Sequence, residues 1–153
     1  MTRPDDADHR WLRRAIELSR RCPPSDTAFS VGAIVVSADG SELATGYSRE
    51  GDDRVHAEEA ALTKLDPDDP RLLGATIYSS LEPCSARKSR PRTCTQLILA
   101  AGLAKVVFAW REPAVFVADA RGAEILADAG LTVVELTDLA DAVRDVNRHL
   151  PLP

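Results

Sequence analysis

Two short segments far apart in the chain must meet, and that requirement limits the folds open to it. One is His56-Ala57-Glu58. The other is Pro83-Cys84, followed by Cys94 after nine intervening residues. One imidazole and two thiolates make three ligands for Zn2+, which leaves a fourth tetrahedral position for water, as in a catalytic rather than a structural centre. Zinc lowers the pKa of such a water toward neutrality. Glu58 is the residue a structural site would not need, because a carboxylate two residues from a ligand can take up a proton and give it back. Each residue has a commoner reading taken alone: a packed histidine, buried small thiols, a glutamate complementing a helix dipole. Their order and conjunction select the metal centre, with His56, Cys84 and Cys94 as ligands and Glu58 as the catalytic group.

The rest of the chain bounds the setting. With 153 residues, the chain is expected to form a single domain (1–153) with a real core. Hydrophobic residues make up 44% and charged residues 28%, an ordinary globular balance. The net charge of −5 argues against a general nucleic-acid-binding surface. Met1 to Asp6 lacks the apolar segment of a secretory signal. The longest apolar run, 97–104, is too short to span a bilayer, so no membrane partner is expected. Three cysteines, two of them claimed by a metal, do not form a disulfide framework. A cytoplasmic enzyme is the placement these features predict.

Periodicity supplies the elements. Asp5 to Asp8 offers helix caps, and a helix is predicted to about Arg21, its stripe formed by Trp11, Leu12, Ala15, Ile16, Leu18 and Cys22. Pro23-Pro24 stops it. Phe29 to Ser37 reads as a central strand, with Val31, Ala33 and Val35 on one face and Ile34 and Val36 on the other. Asp39-Gly40 turns the chain into a return strand, Glu42 to Ser48. A helix from His56 to Lys64 places the ligand and Glu58 in its first turn. A strand from Ala75 to Ser80 delivers Cys84 at its carboxyl end, where open α/β sheets place their sites. Cys94 opens a helix that Gly102 closes. A strand (Val106 to Trp110), a helix (Gly122 to Ala129) and a strand (Leu131 to Leu136) follow, so the last two strands are predicted parallel. Thr137 is expected to cap a final helix, Asp138 to His149. His9 reads as a surface residue and His149 as a structural one.

Between the cysteines lies a loop in which Arg87, Lys88, Arg90 and Arg92 are basic, in an otherwise acidic chain. Two readings stand side by side: a lid that holds an anionic part of a substrate, and a solvated loop with no partner.

His/Cys/Cys ligands with a non-ligand glutamate are the arrangement of zinc deaminases of nucleobases, although that signature usually has two residues between its cysteines. The chain resembles the cytidine deaminase-like superfamily, and within it the deaminase domain of the bifunctional riboflavin-biosynthesis deaminase–reductases, from about Val31 to Arg148. The resemblance is most specific in Gly46-Tyr47, His56-Ala57-Glu58, Leu81-Glu82-Pro83-Cys84-Ser85, 97–102 and Ala129-Gly130-Leu131. That family also has an expanded gap between its cysteines, usually of eight residues. The resemblance implies an α/β fold, a three-layer α/β/α sandwich on a mixed five-stranded sheet. It implies zinc on His56, Cys84 and Cys94, and Glu58 as proton shuttle. It also implies a homo-oligomer, a dimer or higher, because such sites are often completed by neighbours.

The substrate positions depart from the family pattern. Ala28 stands where the family has a substrate-contacting Asn, and Glu112-Pro113-Ala114-Val115 stands for its Asp-Pro-Asn-Pro. Arg90 matches its basic residue four before the second cysteine. Phe29 opens a strand start similar to that of cytidine deaminases. Candidate substrate contacts are therefore Ala28, Phe29, Ser48 and Arg90, with backbone groups at Ala57 and Glu82. The expected function is hydrolytic deamination of an exocyclic amine on a small pyrimidine-type heterocycle, with the riboflavin-pathway diaminopyrimidine ribose phosphate in view. The alternatives are a cytosine, cytidine, deoxycytidylate or purine base deaminase, a polynucleotide deaminase, and a non-catalytic zinc-stabilised binding module. The last is disfavoured because no fourth protein ligand lies nearby in the sequence.

Overall fold

The strand Gly32–Val36 (β1) is buried along its whole length, and its two faces pack into different cores. Ala33 and Val35 join one core with Ala57, Ile98 and Phe108; Ile34 and Val36 join another with Leu12, Ile16 and Val143. A strand covered on both sides needs helices above and below it. In the computed structural model, which describes residues 6–88, 90–117 and 119–153, that is what surrounds it. Around β1 the elements run α1 (Asp6–Ser19), β1, β2 (Glu42–Tyr47), α2 (Ala57–Leu62), β3 (Thr76–Leu81), α3 (Cys94–Ala101), β4 (Lys105–Trp110), α4 (Gly122–Asp128), β5 (Thr132–Glu135) and α5 (Ala140–Val146). The sheet order is β2-β1-β3-β4-β5. β1 is antiparallel to both β2 and β3, and β3, β4 and β5 are parallel. Helices α2, α3 and α4 supply side chains to one core, α1 and α5 to the other. This is the expected three-layer α/β/α sandwich on a mixed five-stranded sheet.

Element ends differ from the sequence expectation where side chains make distant contacts. The possible cap at Asp5 lies outside the described residues. Asp8, expected at the cap, is inside α1 and buried, where it accepts hydrogen bonds from Tyr78 Oη at 2.7 Å and Lys105 Nζ at 2.7 Å. It ties α1 to β3 and β4. The helix ends at Ser19, whose hydroxyl turns back to Ile16 O. His9 is only partly exposed and pairs with Asp138 at 3.0 Å. Thr137 does not cap a helix. A 3-10 turn, Thr137–Leu139, precedes a shorter α5. Asn147 is the C-cap of α5, and its side-chain amide reaches a distant segment: Oδ1 accepts from Ser30 N at 2.7 Å, and Nδ2 donates to Ser30 O at 3.2 Å. His149 lies exposed beyond that end, with Nε2 2.8 Å from Ser25 O.

Gly46 explains how α2 reaches the sheet. A Cβ there would lie 2.4 Å from Ala57 O and 2.5 Å from Ala61 N, both backbone atoms of α2. The helix therefore rests directly on β2, and His56 is carried in with it. Gly46→Ala is expected to destabilise the chain by about 3 kcal/mol through overpacking. It should also weaken metal binding, because relief requires α2 to move. Urea midpoints and zinc titration check both.

Candidate active site

The two half-sites meet at the ends of β3, α2 and α3. His56 is the N-cap of α2 rather than part of its first turn, with extended backbone (φ −89°, ψ 160°), and its N–H donates to Glu59 Oε1 at 3.3 Å. Glu58, two residues further, is buried and faces a cavity of about 600 Å³. Cys84 follows β3 after Glu82-Pro83. Cys94 is the first residue of α3, whose cap is reciprocal: Thr93 Oγ1 accepts from Gln96 N at 3.2 Å, and Gln96 Oε1 accepts from Thr93 N at 2.8 Å. Thr95 then fixes the cysteine loop, its N–H and hydroxyl both donating to Cys84 O, at 3.1 and 2.8 Å.

His56 Nδ1 lies 3.5 Å from Cys84 Sγ and 3.4 Å from Cys94 Sγ, and the three donor atoms all lie within 4.8 Å of one another. A tetrahedral zinc with its usual bond lengths separates sulfur and nitrogen ligands by about 3.5 Å. The donor set and its spacing fit that ion. The N–H of Cys94 donates to Cys84 Sγ at 3.2 Å. The hydrogen bond with the Cys94 thiol, more than burial opposes, holds the Cys84 thiol down to about 4, while the same bond and burial push Cys94 well above its ordinary value. Glu58 is raised, first by burial and then by the charge on Cys84. A carboxyl so placed is readily protonated and readily gives the proton up.

Of the remaining candidates, Ala28, Phe29, Ser48 and Glu82 line the cavity. Ala57 is fully buried and does not line it. Ser48 Oγ accepts from Val31 N at 2.9 Å. The Glu82 carboxylate is occupied by Glu112 N and Ala123 N, at 3.0 and 2.9 Å. Arg90 does not line the cavity; it pairs with Asp52 and with Glu59. Ser89, in the same loop, lies outside the described residues.

Sequence reasoning missed three features. Phe116 stands edge-on to Phe29 at 5.3 Å and extends the apolar wall. Arg49, in left-handed backbone (φ 63°), donates to Pro23 O, Phe29 O and Ser30 Oγ, and so clamps the 23–30 segment that carries Ala28 and Phe29. No local pattern announces either residue. Glu112 lines the cavity with Oε2 buried and without a hydrogen-bond partner among the described residues. Burial, then the charges of Cys84 and Glu82, raise it to about 7. Because its folded value exceeds the ordinary 4.5, its protonation stabilises the fold in full below that ordinary value, and this contribution is lost as pH rises through about 7. Glu112→Gln is therefore expected to be about 2 kcal/mol more stable than the parent at pH 8, allowing for partial exposure, and equal to it near pH 4. Urea unfolding across that range reads the difference.

The family described as the cytidine and deoxycytidylate deaminase zinc-binding region matches residues 5–110. The diaminohydroxyphosphoribosylamino-pyrimidine deaminase of Schizosaccharomyces pombe is 40% identical over 144 residues, which cover 92% of this chain and 35% of that protein. The Aspergillus oryzae Rib2 deaminase, solved in complex with DARIPP, superposes with a TM-score of 0.79 at 26% identity, covering 92% of this chain and 89% of that one. The diaminohydroxyphosphoribosylaminopyrimidine deaminase/reductase of Thermotoga maritima superposes with a TM-score of 0.77 at 30% identity, covering 94% of this chain and 40% of that one. The chain spans about a third of the length of the curated relatives it matches.

Proposed function

The chain belongs to the cytidine and deoxycytidylate deaminase zinc-binding family, and on that premise we propose that it is a hydrolytic deaminase of a riboflavin-pathway-type diaminopyrimidine nucleotide. The observation that carries the reading is the ligand triangle of His56, Cys84 and Cys94 with buried Glu58 beside it, at the wall of a cavity large enough for a nucleotide-like ligand. Those three residues would hold Zn2+, which supplies, when bound, a water acidic enough to act as nucleophile near neutral pH. Glu58 carries the protons: it accepts one and returns it to the departing amine, so that the ring gains oxygen and ammonia leaves. Phe29 and Phe116 give a flat ring an apolar wall and keep bulk water from the reacting face.

The anionic part of the substrate is assigned to Arg54 and Lys88, which line the cavity, rather than to Arg90, whose guanidinium is committed to carboxylates. No helix among the described residues is long and apolar enough to cross a membrane. A homodimer acting in the cytoplasm, with residues 1–153 as one catalytic unit, completes the reading. Sedimentation of the purified chain tests the dimer.

Ammonia release tests the substrate, from the diaminopyrimidine nucleotide, cytosine, cytidine, deoxycytidylate, guanine and adenine, with Glu58→Ala as blank. Turnover of the diaminopyrimidine above the others is the expected result. A methyl cannot replace the pairing of an amide with a ring edge, so a preference for a cytosine or purine ring would mean that Ala28 marks a changed pocket. Silence across the panel with zinc bound would favour a binding module.

A further inference from the structure

Within the basic loop between the cysteines, Lys88 and Arg92 are exposed, whereas Arg87 and Arg90 are committed to carboxylates. The Arg87 side chain is 3% exposed. Its Nη1 and Nη2 both donate to Glu59 Oε1 at 3.3 Å, and Nη2 also donates to Arg54 O at 2.8 Å. Arg90 Nε lies 3.3 Å from Glu59 Oε2. Glu59 is itself only 16% exposed, and the oxygen that receives Arg87 is the one that accepts the N–H of His56. One carboxylate therefore joins the backbone of the first metal ligand to the loop that separates the other two.

We propose that Glu59 and Arg87 are positioning residues that lock the two halves of the metal site together before the ion arrives. The physical reason is the cost of the alternatives. Arg87 borders the cavity, but its guanidinium cannot turn to a ligand there without taking one of its charges from a largely buried carboxylate, and Glu59 cannot release Arg87 without removing the carboxylate that balances a buried guanidinium. The loop is thus held by a pairing that is satisfied only when α2 and the cysteine segment sit in their metal-binding register. Groups that orient metal ligands without touching the metal commonly account for about 10- to 100-fold in affinity.

The inference rests on the zinc reading above, and wild-type zinc uptake separates the two: if the parent chain takes up no zinc, the proposed function fails, not the lock. Zinc affinity is measured on the full chain by competition with a chromophoric chelator, for Glu59→Gln, Arg87→Met, Arg87→Lys and the Glu59→Gln/Arg87→Met double variant. Far-UV circular dichroism verifies folding. Glu59→Gln keeps an acceptor for His56 N and removes only the charge, so it decides the matter should Arg87→Met not fold. The expected result is a loss of zinc affinity of about tenfold or more in Glu59→Gln and in Arg87→Met, a double variant no worse than these two, and a smaller loss in Arg87→Lys. At saturating zinc, KM stays within about twofold of the parent. Folded variants whose zinc affinity stays within about twofold of the parent overturn the proposal. So does a rise in KM at unchanged zinc affinity, which would make Arg87 a substrate contact.

Discussion

Glu58→Gln is expected to keep its zinc and to lose turnover by about 10³-fold, within the range usual for a general acid–base group. The substitution keeps the shape of the side chain and removes its ability to carry a proton. The three metal ligands are other residues, and Gln keeps an acceptor for the hydrogen bond that the Glu58 carboxyl makes with Cys94, so the metal site is left whole. Zinc content by elemental analysis and ammonia release by a coupled assay read the two halves of the expectation. Burial and the Cys84 charge raise the carboxyl, which moves its titration toward neutral pH. Retained turnover would move the proton carrier to another group, and Glu112, raised to about 7 and facing the same cavity, is the next to test.

Cys84→Ala is expected to abolish both zinc binding and turnover, and to destabilise the chain as well. Two ligands are too few for a tight zinc site. The thiol also accepts the N–H of Cys94, which is fully buried, so its removal leaves a donor without a partner at a cost of about 1–3 kcal/mol. The stabilisation that zinc gives the folded state disappears at the same time. In the parent chain, a chelator should lower the melting temperature; in Cys84→Ala it should have no effect. Zinc above a tenth of an equivalent per chain in the variant would show that the ion is held elsewhere.

The chemistry at the centre of the molecule was legible because it rests on residue type and spacing. A His-x-Glu segment and a Pro-Cys…Cys segment carry their meaning wherever the fold brings them together. The two-faced burial of β1 was legible for a similar reason, since alternation is a local property of an extended chain. What could not be read was set by contacts between segments with no common pattern. Arg87 and Arg90 form a basic run in sequence, and only the packing of α2 against the cysteine loop gives them Glu59 and Asp52 as partners. Glu112 follows a strand like many surface acids, and its buried, unpaired oxygen is a consequence of the cavity around it. The tie between Asn147 and a segment 117 residues earlier has no local signature either.

That bond between Asn147 and Ser30 bears on how the cavity is completed during synthesis. A growing chain that has just released Cys94 already holds every metal ligand and Glu58. The wall that carries Ala28 and Phe29 is pinned on one side by Arg49, and on the other by an amide near the far end of the chain. Contacts of such long separation form late. A nascent chain stalled before residue 147 would therefore be able to take up the ion while its pocket is still open on one side. A chain trimmed at that point would keep every metal ligand and Glu58 while losing one of the two pins on the wall that carries Ala28 and Phe29.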